Sequence, residues 1–195
     1  DILFLQRADI KAKRSTYINQ VQYILDSTRL NYAVYTPMLQ SDFLPYYGLG
    51  PVNSGVAILS RGQLNNPSRL PLTDHQPAER LPEYFKHQRA LLQVALEHKG
   101  QSIQLIDVSL SPYLHNNTKA VQLEETLHYM QQVEKPVIAA GTWHAVPSGA
   151  PKLKDFDDEP CPQGSDFFVS DYTGEAELMA AFYRDFKPAI TASAP

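Results

Sequence analysis

The stretch Pro136–Gly149, PVIAAGTWHAVPSG, decides how the chain is read. Val137 to Ala140 form an uninterrupted apolar run of strand length behind a proline, the pattern of a strand buried on both faces. Gly141 ends the run and a turn-prone loop follows. The segment reads as a buried strand delivering a loop where chemistry is done. What it delivers is Thr142 and His144, a hydroxyl and an imidazole with no carboxylate beside them.

Working outward, the 195 residues suit a single domain spanning 1–195, with 43% hydrophobic and 19% charged residues, the balance of an ordinary globular protein. The formal net charge is -4 and the basic residues are scattered, so a strong nucleic-acid footprint is missing. No apolar run is long enough for a membrane segment, and the chain opens with DILFLQ instead of a basic leader. The single cysteine, Cys161, excludes an internal disulfide and reads as a loop thiol in EPCPQG. Histidines 75, 87, 98, 115 and 128 lack metal-ligand spacing, and the acidic run DFDDEP reads as a solvated loop.

Asp1 to Gln6 reads as a buried strand and RADIKAKRS as a surface turn. A helix is expected from Ser15, with Ser15 or Thr16 as N-cap and Ile18, Val21, Ile24 and Leu25 at helical intervals. NYAVYT and VAILS read as strands separated by a long loop from Pro37 to Asn53, in which Tyr46 and Tyr47 could rim a pocket. RALLQVALEH and SIQLIDVSL form a hairpin about Lys99-Gly100, with Ala90, Leu92, Val94 and Leu96 on one face. Val121, Leu123, Leu127 and Met130 place a helix between Thr118 and Val133, and EAELMAAFYRDF closes the pattern with another. The order of elements argues a layered α/β domain.

Four stretches in this order, DILFLQRAD, SGVAILSR, IQLIDVSLSPY and KPVIAAGTWHAVPSG, together resemble the endonuclease/exonuclease/phosphatase superfamily of metal-dependent phosphodiesterases and phosphatases. The resemblance implies a four-layer α/β sandwich, two packed mixed β-sheets flanked by helices. The family's first strand and its terminal S-D-H segment find no counterpart, so the resemblance implies an oligomer or further segments completing the sheets.

In that family the four stretches end L-Q-E, G-x-A-I-L-S-R, T-H-L and G-D-F-N. The family's metal carboxylate falls here on Arg7, which is permanently cationic and cannot ligate a metal. The family's charge-stabilising His falls on Ser109, and Asp107 shares its face by strand alternation. The catalytic Asp and Asn fall on Thr142 and His144; of these only the imidazole titrates near neutral pH. Trp143, on the opposite face, reads as core in place of the family Phe.

Ser109, Thr142 and His144 therefore stand at catalytic positions with exchanged groups, and Arg7 and Asp107 are the candidates to bind substrate. Two readings follow. In one, the fold persists as a catalytically impaired or inactive scaffold that binds a small phosphate-containing anion near Arg7 and His144. In the other, an active phosphohydrolase holds Mg²⁺, Mn²⁺ or Zn²⁺ through substitute ligands drawn from Asp107, His144, Asp9 and the acidic loop 155–159.

Overall fold

The computed structural model of the chain describes residues 1–44, 50–74, 88–111, 117–133, 136–145 and 172–189. Three strands, β1 (Ile2–Ala12), β2 (Tyr32–Leu44) and β3 (Gly50–Ser60), make one sheet in the order β1-β3-β2, antiparallel throughout. Four more, β4 (Leu64–Pro71), β5 (Ala90–His98), β6 (Gln101–Ser109) and β7 (Val137–Thr142), make a second sheet in that order. Only β6 and β7 run parallel. A parallel pair needs a crossover, and helix α2 (Thr118–Gln132) supplies it. Of the two packed sheets expected, the second is thus mixed and the first antiparallel.

The pattern of apolar side chains stacks these elements in four layers. Ala90, Leu92, Val94 and Leu96, the face expected from their alternation, meet Met38, Val56 and Ile58 of the first sheet in one buried cluster. The alternate residues Leu91, Ile106, Val108 and Leu110 face outward onto Leu123 and Met130 of α2 and onto Met179 and Phe182 of helix α3 (Tyr172–Asp185). On the far side, Ala57 and Leu59 pack with Val21 of helix α1 (Gln20–Ser27). Each fully buried Leu, Ile or Val contributes about 1.5–3 kcal/mol from removal of its surface from water. Gln122 pins α2 to the ends of the second sheet: its side-chain oxygen accepts from the Ser111 amide at 2.8 Å and its nitrogen donates to the Thr73 carbonyl at 2.7 Å.

The hairpin turn falls at Lys99 and Gly100, both at positive φ, as the alternation requires. Other boundaries move. The charged RADIKAKRS is not a turn: β1 runs through it to Ala12, with Ala8 and Ala12 buried and Lys11 exposed, and only Lys13–Ser15 form a short 3-10 turn. Helix α1 starts five residues late because Asn19, not Ser15 or Thr16, caps it, accepting from the Gln22 amide at 3.0 Å. The expected loop from Pro37 to Asn53 is mostly strand. Gly55 makes that possible, because a Cβ there would stand 2.0 Å from the Thr36 carbonyl oxygen. Strand β4, LNNPSRLP, is an edge strand too polar to announce itself. Tyr46, Tyr47, Cys161 and the acidic run at 155–159 lie outside the described residues.

Candidate functional site

Strand β7 and its pairing with β6 position Thr142 and His144. In register, Asp107 pairs with Ala140, Val108 with Gly141 and Ser109 with Thr142. Gly141, at φ 134°, presses so closely on β6 that a Cβ would stand 2.1 Å from the Val108 carbonyl oxygen and 2.9 Å from Asp107 Oδ1. Only glycine fits, and the fit locks Thr142 beside Ser109. The Leu110 amide donates to the Thr142 carbonyl at 3.0 Å and extends the lock one residue past the strands.

Val108 faces the helices, so Asp107 and Ser109 face the other way, toward the first sheet. Asp107 reaches it. Its Oδ1 accepts a hydrogen bond from Gln6 Nε2 on β1, a contact between residues 101 apart in sequence. The carboxyl is fully buried, and Oδ2 has no partner among the described residues. Burial raises its pKa strongly, and the Gln6 hydrogen bond and the Val108 amide offset only part of this, leaving it at about 8. Burial thus favours the neutral acid at Asp107.

Ser109 has a cation beside it. Arg89, buried just ahead of β5, turns Nη1 toward Ser109 Oγ at 3.4 Å, the long end of a hydrogen bond. Nothing in the sequence marked Arg89, and Gln6 entered only as the middle residue of the L-Q-E match; both act through contacts between distant segments. Thr142 and His144 are half-buried. His144 takes φ 49°, which ends the strand alternation, while Trp143 turns outward and meets Phe182 edge-to-face, centroids 5.2 Å apart, in the expected core role.

Arg7 stands apart from this group. Gln6 and Arg7 together oppose the single residue Val56, a β-bulge, and Arg7 adopts φ 53° with its side chain exposed. Among the described residues it makes no hydrogen bond or ion pair with Ser109, Thr142 or His144. Asp9 is committed elsewhere. Arg14 holds it through two hydrogen bonds, Nε at 2.9 Å and Nη2 at 2.7 Å, and the same Nη2 reaches Ser54 Oγ at 3.0 Å. Burial alone would raise the Asp9 pKa, but the hydrogen bonds and charge of Arg14, with help from Ser54 and Ser15, hold it below the usual range.

No family model matches the sequence, and no curated protein sequence matches it. Solved structures do match. An endonuclease/exonuclease/phosphatase from Beutenbergia cavernae DSM 12333 superimposes with a TM-score of 0.56 at 18% identity, over 74% of this chain and 39% of that one. The human Nocturnin catalytic domain with bound sulfate anion gives 0.51 at 18%, over 75% and 52%. Sphingomyelinase C from Streptomyces griseocarneus gives 0.52 at 16%, over 77% and 55%. The chain thus has the fold of the endonuclease/exonuclease/phosphatase proteins and spans 39 to 55% of the length of these three structures.

The divalent cation implied by the fold finds a poor match in these side chains. A hard cation needs several oxygen ligands, preferably ionised carboxylates. Burial pushes Asp107 toward its neutral form, Asp9 is paired with Arg14, and Arg7 is a cation. Among the described residues no three His, Cys, Asp or Glu side chains stand close enough together to hold a metal ion.

Proposed function

We propose that this chain is a phosphohydrolase-fold scaffold whose metal-dependent chemistry has been lost and whose cleft serves as a small-anion binding site. The observation that carries the reading is that, among the described residues, no three His, Cys, Asp or Glu side chains stand close enough together to hold a metal ion, while the Asp107 carboxyl is buried between the two sheets and bonded to Gln6. Arg7 at the position of the family's metal carboxylate, and Ser109, Thr142 and His144 at its catalytic positions, point the same way. No base is paired with an orienting acid among these residues, and a lone imidazole is a weak catalytic constellation.

Anion binding is supported by a guanidinium at the site: Arg89 places its Nη1 3.4 Å from the Ser109 hydroxyl. Guanidinium groups bind phosphate through paired N–H donors without a metal. The sulfate anion in the Nocturnin structure is an example of such a ligand on this fold.

The test is hydrolysis of bis-p-nitrophenyl phosphate with Mg²⁺ or Mn²⁺ supplied, alongside the variant Arg7→Glu, Ser109→His, Thr142→Asp, His144→Asn. The backbone at 144 already sits in the left-handed region that asparagine tolerates well, so this variant is compatible with the loop. The expected result is no turnover in the native chain and a higher melting temperature in millimolar phosphate that Arg89→Met reduces. EDTA-sensitive turnover in the native chain would overturn the reading in favour of substitute ligands.

A further inference from the structure

Away from the cleft, the far end of β1 carries an unusual surface. The short turn Lys13–Ser15 is followed by two consecutive non-glycine residues in the left-handed region, Thr16 at φ 51° and Tyr17 at φ 61°. Each such residue costs on the order of 1–2 kcal/mol. The corner is nevertheless pinned, with the Thr16, Tyr17 and Ile18 amides donating to the carbonyls of Lys13, Ala12 and Ser15 at 2.9–3.0 Å. Its effect is to hold Tyr17 52% exposed and Ile18 49% exposed. Tyr23, 63% exposed, lies one turn into α1.

Basic side chains flank this apolar group. Lys13 Cβ and the Tyr17 hydroxyl converge on the same spot, each 3.5 Å from where a Cβ on Gly50 would stand. Arg7, Lys11 and Lys13 are exposed on one strand and the turn that follows it, and make no ion pair among the described residues, while Asp9 and Arg14 neutralise each other. In a chain of net charge -4, Lys11 and Lys13 at this strand end outnumber Asp42, the exposed carboxylate on β2 at the same end of the sheet. Lysine on an edge strand also discourages sheet-to-sheet pairing, which would account for Lys11. It does not account for a strained corner that exposes a tyrosine and an isoleucine next to Lys13.

We propose that this corner is a docking surface for an anionic lipid bilayer. The chemistry fits on two counts. Tyrosine and lysine each combine an apolar body with a polar tip, which suits the headgroup boundary, and isoleucine supplies buried apolar area below it. Arg7, Lys11 and Lys13 are too few to track a nucleic-acid backbone but sufficient to reinforce a shallow apolar contact with acidic lipid.

The experiment is flotation of the full chain with phosphatidylcholine vesicles, with and without phosphatidylserine, beside a single-stranded oligonucleotide arm. Binding should require phosphatidylserine. Lys11→Glu with Lys13→Glu should weaken it at least about tenfold, the scale expected for removing two lysines from an acidic surface. Lys99→Glu with Lys187→Glu, the same charge change at other exposed positions, should have little effect. Tyr17→Ser with Ile18→Ser should weaken binding while leaving its salt dependence in place. Absence of binding, equal loss in the two lysine pairs, equal binding to vesicles without phosphatidylserine, or lysine-dependent capture of the oligonucleotide alone would each overturn the proposal. The vesicle assay needs no catalytic or anion-binding readout, so its result is independent of the cleft.

Discussion

Replacing Asp107 with asparagine should remove a pH dependence from folding. The unfolded chain releases this proton near 3.8, whereas the folded chain holds it until about 8. Between those values the folded state binds more protons, so stability falls as pH rises, and it levels off above the folded pKa. The slope from one such group approaches about 1.4 kcal/mol per pH unit, and the difference of roughly four units sets a ceiling of about 5 kcal/mol. Relaxation of the site lowers this, and about 2–4 kcal/mol is the expected loss across the window. No neighbouring charge drives the shift: its causes are burial, opposed by the hydrogen bonds from Gln6 and the Val108 amide. Asparagine keeps the oxygen that accepts from Gln6 and never ionises. Its added donors cost about 1–3 kcal/mol if unsatisfied, so the variant should be weaker at pH 5 and close to or above wild type at pH 9. Urea unfolding at pH 5, 6, 7, 8 and 9 reads this directly. Parallel stability curves for the two proteins would show that Asp107 is ionised in the fold and would refute the reasoning.

Two further substitutions test the surrounding architecture. Arg14→Met leaves the Asp9 carboxylate buried without its main partner, and should cost about 2–3 kcal/mol at pH 7, measured by urea unfolding. Because the folded Asp9 pKa is depressed, its contribution is present above the unfolded value and lost as pH falls through the folded one; the variant should show less of this acid-side loss. Gly141→Ala drives a Cβ into the Val108 carbonyl at φ 134°, and should cost about 3 kcal/mol or more, lowering the melting temperature by roughly 6–12 °C for a domain of this size. A melt within a degree or two of wild type would mean that β7 is not locked against β6 there.

What could be read from the sequence was whatever a local period determines. The β5–β6 hairpin alternates strictly, so Ala90, Leu92, Val94 and Leu96 were assignable to one face, and all four lie in the cluster between the sheets. The same alternation put Asp107 and Ser109 on one side and Trp143 on the other. Boundaries failed where one local choice among several caps, or one non-local contact, decided the outcome. Asn19 took the cap that Ser15 or Thr16 could have provided, and Gly55 allowed β2 to run past Pro37. The charge of RADIKAKRS suggested a turn because hydropathy sees side chains, whereas the ladder to β3 is made by backbone and absorbs the charges at a bulge and an exposed edge.

The candidate site divides along the same line. Its positions were proposed from motif order, whereas its electrostatics depend on pairs such as Gln6 with Asp107 and Arg89 with Ser109, which no local pattern reveals. Arg7 illustrates the point. Ile2, Phe4 and Gln6 face the second sheet while Leu3 and Leu5 face away from it, so Arg7 falls on the outward side and the bulge leaves it on the surface, while its neighbour Gln6 reaches across to the other sheet. The Gln6 amide favours the ionised carboxylate, but too weakly to offset its burial. With no ionised side chain among the causes of its shift, burial sets the direction of the Asp107 pKa. The single substitution Arg7→Glu should consequently fail to restore metal binding, measured by calorimetric titration with Mn²⁺, since the bulge would present the new carboxylate to solvent as it now presents the Arg7 guanidinium.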